Sequence, residues 1–319
     1  MNILIFSDLH GRIPLMFRLI YEFQKQRDIV VDWILVCGDL GIWPDINRLD
    51  HSTRKYARNH PEELGFQVFH PFPEPCSQSE QDRMYRDLYD SNALLKQRML
   101  QQKREQKVVD AVRDSVKAKI VFVGGNHEDY QYLESLCGRD TAASLIPVEK
   151  QCQINWLPAG SVLRLKKLAI TGISGIDPEG TSRNTEKYHS GALIHEDSIL
   201  DVMLQGDEHP IDILLTHDSV PDAIRPGSGS KNLSELLQTL LPSYHFFGHY
   251  HSRRETFDYH DLPTRGVHLN KLAFSKEGRL REHVMGFLQW SGRSGHEFHF
   301  VKDAWLSRVR EDNWWKGIR

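Results

Sequence analysis

Ile120-Val121-Phe122-Val123-Gly124-Gly125-Asn126-His127-Glu128 opens as an apolar run of strand length and ends in two glycines and three polar side chains. A helical-looking stretch over 129–136 follows directly. Glycines at such a strand end let the backbone turn sharply and approach a ligand closely, so Asn126 and His127 are presented at the carboxyl end of a buried strand. Four more clusters along the chain share this form: Asp8-Leu9-His10, Gly38-Asp39, Thr216-His217-Asp218 and Gly248-His249-Tyr250-His251, each after an apolar run. Five strand ends that all carry Asp, His or Asn predict an α/β sheet with its chemistry gathered on one edge.

Working outward, residues 2–7 read as the first strand, 14–25 as a helix with Leu15, Leu19, Ile20 and Phe23 at helical spacing, and 33–37 as the next strand. From 43 to about 117 the rhythm breaks. The first part, through Pro71-Phe72-Pro73-Glu74-Pro75, is rich in His, Arg and Pro and is expected to be irregular. The second, 79–116, is nearly free of Gly and Pro and predicts one long helix or two shorter ones. Its Lys96, Arg98, Lys103, Arg104 and Lys107 read as a solvated face, with the lining of a substrate groove as the alternative. Short strands follow at 154–157, 161–165 and 168–173, then a polar loop over the site at 177–190, a helix at 195–204 and a strand at 211–215. Asn232 is the expected N-cap of a helix over 233–241. Strands at 267–274, 283–290 and 297–301 are expected to complete a second sheet. The plan is a catalytic domain over 1–304, interrupted by a largely helical insertion at about 43–117, and an amphipathic tail over 305–319. That tail is read as a helix packing Trp314 and Trp315 on the body.

The 319 residues carry a formal net charge of −3, which excludes a protein held to nucleic acid by bulk charge but leaves a local basic groove open. Cys37, Cys76, Cys137 and Cys152 form no CxxC pair, and free thiols in a reducing compartment are expected. Residues 1–6 read as a strand leading into a polar cluster, without the basic n-region or h-region of a signal peptide, so none is expected, and no apolar run has the length of a membrane span. The expectation is a cytoplasmic protein with no membrane partner.

The chemistry of the clusters is that of a binuclear metal centre. Phosphoester hydrolysis of this kind needs two cations about 3.5–4 Å apart, which polarise the phosphoryl oxygens, lower the pKa of a bridging water and orient an in-line attack of the resulting hydroxide on phosphorus. Holding them takes a bridging carboxylate and a shell of O and N donors, and no Cys stands in a ligand position here. Asp8 and His10, two apart on an extended loop, can converge on one ion. Asp39, between glycines, can approach both. His249 and His251 can give one donor to each ion, and Asn126 and His217 complete the second. Any one of the 17 histidines is more often a surface or hydrogen-bonded residue, but five clusters after five strands are not explained by core packing. Asp218 and Glu128 are candidates to orient the ligating imidazoles, or are structural.

The ordered set Asp8-x-His10, Gly38-Asp39, Gly125-Asn126-His127-Glu128, His217 and Gly248-His249-x-His251 resembles the calcineurin-like metallophosphoesterase superfamily over most of the chain up to residue 251. The resemblance implies a four-layer α/β/β/α sandwich of two mixed sheets. It implies that Asp8, His10, Asp39 and His251 bind one metal, that Asp39, Asn126, His217 and His249 bind the other, and that His127 contacts the scissile phosphate and protonates the leaving oxygen. Manganese is the first expectation for the two divalent ions, with iron and zinc as alternatives.

A narrower set, Gly124 to Glu128, Gly172-Ile173-Ser174-Gly175-Ile176, residues 211–218 and Leu241-Pro242-Ser243-Tyr244, resembles the RNA lariat debranching enzymes, which cleave 2′,5′-phosphodiester branches. The chain departs from them at Asp8, where those enzymes typically have Cys, in the length of the 43–117 insertion and after His251. The expected activity is a phosphodiesterase on RNA or a nucleotide, with Arg183, Lys187, Tyr188 and His189 of the polar loop as substrate contacts. The alternatives are a phosphatase acting on nucleotides, signalling dinucleotides or phosphoproteins, and a scaffold that has lost its chemistry.

Overall fold

The computed structural model describes residues 1–69, 78–89, 91–137, 144–149, 153–178, 188–251, 256–259 and 261–318. In chain order the strands are β1 (Asn2–Phe6), β2 (Trp33–Cys37), β3 (Lys119–Val123), β4 (Ile146–Glu149), β5 (Ile154–Trp156), β6 (Val162–Leu165), β7 (Leu168–Ile173), β8 (Ile213–Thr216), β9 (Tyr244–Phe247), β10 (Thr256–Asp258), β11 (Arg265–His268), β12 (Gly286–Gly292) and β13 (Gly295–Phe300). The helices are α1 (Ile13–Arg27), α2 (His51–Ala57), α3 (Gln78–Leu88), α4 (Asn92–Val112), α5 (Tyr130–Leu136), α6 (Glu196–Glu208) and α7 (Lys231–Leu240).

Two mixed sheets form, in the orders β13-β12-β1-β2-β3-β5-β4 and β10-β11-β9-β8-β7-β6. Strands β1, β2, β3 and β5 run parallel in the first, and β7, β8, β9 and β11 in the second. Side chains alternate across each strand. Ile3 and Ile5 of β1, Leu35 of β2 and Val121 and Val123 of β3 therefore point into a core shared with Ile170, Ile213, Leu215 and Phe246 of the second sheet. Leu4, Phe6, Ile34, Val36, Ile120 and Phe122 point the other way, against Phe17, Ile20 and Phe23 of α1, Val108 and Val112 of α4 and Leu133 of α5. On the far side, Leu214 and Ala169 pack under Ile199 and Val202 of α6 and Leu233, Leu236 and Leu237 of α7. The result is the expected four-layer α/β/β/α sandwich. The carboxyl ends of β1, β2 and β3 and of β8 and β9 come to one edge, which is where the site lies.

The insertion is helical, with α2, α3, α4 and two 3-10 segments, Ile46–Arg48 and Pro61–Val68. It builds a small core of its own from Trp43, Ile46, Leu49, Ala57, Leu64, Tyr85, Leu88 and Tyr89. Arg98 is neither solvated nor groove-lining. It is fully buried, 2.9 Å from Glu105 Oε2, and donates to the carbonyls of Pro61 (3.1 Å) and Leu64 (3.0 Å), so a charge that looked superficial fastens a 3-10 segment to α4.

Five other expectations change. The first part of the insertion, expected to be irregular, carries α2 and both 3-10 segments up to Val68, with Asp45 and Asp50 capping the first two helical starts. Strands β12 and β13 form a hairpin that pairs antiparallel with β1, so the end of the chain completes the first sheet, and only β10 and β11 extend the second. The strand expected over 267–274 stops at His268, because the chain bends toward the site, with Leu269 N–H on Phe247 O (2.9 Å) and Leu272 N–H on Asp8 O (3.2 Å). Helix α7 begins at Lys231 after Ser230, so Asn232 lies inside it. The tail is a 3-10 segment, Ala304–Arg308, and turns rather than an α-helix, but Trp305 and Trp314 are buried in the core of the first sheet's helical side.

Candidate metal centre

Backbone geometry brings the strand ends together. Asp8 N–H donates to Gly38 O (3.1 Å) and His10 N–H to Asp39 O (2.8 Å), which lays the loop after β1 along the loop after β2. The loop around Asp8 and His10 is not extended as expected. Asp8, His10, Asp39, His249 and His251 all have left-handed φ, between 44° and 68°. Asp and His tolerate this region better than most side chains, and such strain persists where the surroundings over-determine it. Two glycines permit the close approach. A Cβ at Gly125 would collide with Asp39 Oδ1, and one at Gly248 with Ser7 Oγ and Asp8 Oδ2.

The side chains then converge. Asp8 Oδ1 lies 2.9 Å from His251 Nε2, while its Oδ2 accepts from Ser7 Oγ (2.6 Å) and from the His249 backbone N–H (3.0 Å). Asp39 Oδ1 accepts the His127 backbone N–H (2.8 Å), and Oδ2 lies 3.5 Å from His10 Nε2 and 3.3 Å from His217 Nε2. His217 turns its Nδ1 to Cys37 O (2.9 Å), which aims Nε2 inward, and its ring stands 5.0 Å from that of His249. Donor atoms of Asp8, His10 and His251 lie within 4.8 Å of one another, as do those of Asp8, Asp39 and His217.

The donor set fits cations. His10 Nε2, His217 Nε2 and Asn126 Oδ1 are buried and have no hydrogen-bond partner, a costly state for polar atoms, and the two imidazole nitrogens face Asp39. Hard and borderline O and N donors with no thiolate suit manganese, iron or zinc. Burial pushes the Asp8 and Asp39 carboxyls up, but the facing imidazoles outweigh it, His251 at Asp8 and His217 and His127 at Asp39, and hold both well below the carboxylate range. Burial pulls His249 down to about 3 and lowers His10 as well, which leaves both imidazoles neutral, as metal ligands must be. Burial also opposes charge on His217, yet Asp39 pushes it up to about 10, a state that a cation on Asp39 would replace.

His127 stands at the partly open rim. Its Nδ1 is 3.0 Å from Asp50 Oδ2 and 3.3 Å from Thr53 Oγ1, both from the insertion. Burial lowers its basicity, but Asp39 and Asp50 outweigh that and push it up to about 9. Asp50 is the N-cap of α2, accepting Thr53 N–H at 2.9 Å, and neither residue was singled out from the sequence. The pattern Asp50-His51-Ser52-Thr53 is a helix-start signal, but nothing in it says that the capping carboxylate also faces a histidine 77 residues away.

Glu128 and Asp218 do not orient imidazoles. Glu128 accepts the backbone N–H groups of Leu40 (2.6 Å), Gly41 (3.1 Å) and Ile42 (2.8 Å), and so shapes the loop that carries Asp39. Asp218 accepts from the Tyr250 hydroxyl and from the N–H groups of Asp177 and Ser219, both 2.8 Å away. Arg183 and Lys187 lie outside the described residues. Tyr188 packs against the core of the first sheet's helical side, and His189 stacks on Tyr130 with ring centroids 5.8 Å apart.

The lariat debranching enzyme of Gallus gallus is 28% identical over 172 residues, 46% of this chain, and the match spans 31% of that relative's own length. A solved crystal structure at 14% identity superposes with a TM-score of 0.50, covering 94% of this chain and 98% of that one. TT1561 of Thermus thermophilus superposes at 11% identity and a TM-score of 0.46, covering 94% and 99%. Among the described residues no helix is long and apolar enough to cross a membrane. The family model for calcineurin-like phosphoesterases matches residues 87–253, just over half of the sequence, and the chain belongs to that family.

Proposed function

We propose that the chain is a two-metal phosphodiesterase acting on RNA or a nucleotide, with a 2′,5′-linked branch as the leading substrate. The observation that supports it most is the pair of buried, unpartnered imidazole nitrogens, His10 Nε2 and His217 Nε2, facing Asp39 Oδ2, with the unpartnered Asn126 Oδ1 buried in the loop after β3. In this reading Asp8, His10, Asp39 and His251 hold one divalent cation, and Asp39, Asn126, His217 and His249 the other. When bound, two such cations, manganese first, supply positive charge against the phosphoryl oxygens and acidity to an attacking water. His127 is the proton donor to the leaving oxygen. Its Nδ1 is engaged by Asp50, 3.0 Å away, which leaves Nε2 for the substrate, and the Asp50 carboxylate holds the ring while it carries charge. Thr53 fixes Asp50 in turn, its hydroxyl 2.5 Å from Oδ2.

The RNA substrate is supported by the similarity to the lariat debranching enzyme, and Arg183, Lys187 and Tyr188 are proposed contacts to flanking phosphates and a splayed base. The catalytic domain runs over 1–304 with the insertion as part of its site. We place the protein in the cytoplasm, which suits the free Cys37 and exposed free Cys137. The test is hydrolysis by manganese-loaded protein of bis-p-nitrophenyl phosphate, p-nitrophenyl phosphate, and matched 2′,5′- and 3′,5′-linked oligonucleotides. The diester is expected to be cut faster than the monoester, and the 2′,5′ linkage faster than the 3′,5′. A preference for the monoester would make it a phosphatase, and equal rates on the two linkages would remove the branch specificity.

A further inference from the structure

Glu63 belongs to the 3-10 segment Pro61–Val68 of the insertion, and that segment lies directly against the loop carrying Asp8 and His10. The approach is close enough to require glycine on both sides. A Cβ at Gly11 would collide with the carbonyls of Glu62 and Glu63, and one at Gly65 with the carbonyl of Gly11. Arg12 clamps the contact, its Nη2 2.6 Å from Glu62 Oε1. From behind, buried Arg98 holds the Pro61 and Leu64 carbonyls.

Within this fixed contact the Glu63 side chain is 4% exposed and turns toward the centre. Its Oε2 lies 3.5 Å from His10 Nδ1, and its Oε1 3.6 Å from Lys271 Nζ and 3.8 Å from Arg12 Nη1. Lys271 comes from the bend after β11, so three separate parts of the chain meet at this carboxylate. A carboxylate so deeply buried is tolerated only when paired, and these are its pairs. The other nitrogen of His10, Nε2, is the one that faces Asp39 without a hydrogen-bond partner.

The geometry points to Glu63 as a positioning residue for one of the two cations: it holds the proton of His10 on Nδ1, which turns the Nε2 lone pair toward the ion that Asp8 and His251 share. This rests on the two-metal reading above. A carboxylate behind a ligating imidazole fixes its tautomer and raises its basicity, and loss of such a partner typically costs about 10–100-fold in metal affinity or activity. Glu63 would therefore affect the His10 ion and leave the Asn126 ion alone, although it makes no contact with either.

The experiment is manganese titration of the metal-free full-length protein by calorimetry, for wild type, Glu63→Gln, Glu63→Asp and Glu62→Gln, with melting temperatures alongside. Glu63→Gln keeps the size but offers an amide, and one of the two binding steps is expected to weaken about 10–100-fold while the other is unchanged. Glu63→Asp keeps the charge at shorter reach, and its affinity is expected to fall between wild type and Glu63→Gln. Glu62→Gln, which weakens the Arg12 clamp but leaves the Glu63 carboxylate beside His10, is expected to lose less affinity than Glu63→Gln. Equal binding by wild type and Glu63→Gln overturns the inference, as does an equal loss at both steps that follows the melting temperature in both variants. A wild type that binds fewer than two ions overturns the two-metal reading itself, and this inference with it.

Discussion

The loops that end β1, β2 and β3 and the insertion between β2 and β3 face the same centre, but they reach it by different means. The loops deliver short side chains straight from buried strands, and those after β1 and β2 do so on backbone held in left-handed conformations, each by the other. The insertion packs α4 against the first sheet, adds a small core of its own around Trp43 and Tyr85, and reaches the centre with two carboxylates, Asp50 toward His127 and Glu63 toward His10. Donor atoms that would touch a cation thus come from the sheets, and the insertion adds a second carboxylate, beyond Asp39, to the surroundings of His127 and of His10. Chemistry held at a sheet edge and tuned from an insertion lets the tuning groups be changed without replacing a donor atom.

If that division holds, the largest effects belong to the strand ends. Asp39 Oδ2 stands between His10 and His217, so Asp39→Asn removes charge where both proposed ions meet. Bound manganese is expected to fall below two per chain, and hydrolysis by more than the roughly 100-fold that an outer partner costs. Metal analysis beside turnover checks this. Two retained ions with near-normal rate would break the comparison, because the bridge would then lie elsewhere, for example at Asp8.

The division also explains what the sequence revealed. Asp8, His10, Asp39, Asn126, His127, His217, His249 and His251 were legible because each follows a strand within one to four residues, and strand plus polar loop is a local pattern. Asp50 and Glu63 were not, because each acts on a histidine far away in sequence, 77 residues for Asp50 and 53 for Glu63, from a region whose Pro, His and Arg content reads only as irregular. The hairpin of β12 and β13 was misplaced for the same reason. Its apolar alternation marks strands, but whether they join β1 or β11 depends on packing over nearly the whole chain. Arg98 shows the limit of reading charge as exposure, since its partner Glu105 and the two carbonyls it holds lie on different turns and segments.

A middle tier tests how the insertion acts on the loops. His127→Ala is expected to keep both ions and lose about 10²–10⁴-fold in rate, most on substrates with poor leaving groups. Asp50→Asn is expected to lose about 10–100-fold, and the double variant to be no slower than His127→Ala, because Asp50 acts only through the ring. Additive losses would give Asp50 a separate role. In the metal-free protein the pH dependence has a definite sign. Asp39 and Asp50 raise His127 to about 9, so its share of stability is complete below the ordinary histidine value near 6.5 and is lost as pH climbs through about 9. Urea unfolding across that window should therefore lose less stability in Asp50→Asn than in wild type.

The smallest effect lies where the insertion meets the end of the chain, far from the chemistry. Arg104 of α4 lays its guanidinium 3.8 Å from the centroid of the Trp315 ring, while Trp314 beside it is buried against the first sheet's helical side. A cation over a partly exposed indole stabilises by about 0.5–1 kcal/mol. Arg104→Gln keeps much of the aliphatic stem over the ring and removes only the charge, so a loss near the lower end of that range is expected in urea unfolding. Hydrolysis of a small chromogenic diester should not change, since α4 is joined to the site through Arg98 and the Pro61–Val68 segment and not through Arg104. A changed rate at unchanged stability would mean that the tail pulls on the insertion strongly enough to move Asp50 or Glu63. The insertion would then be a lever between the end of the chain and the metal centre rather than a fixed support.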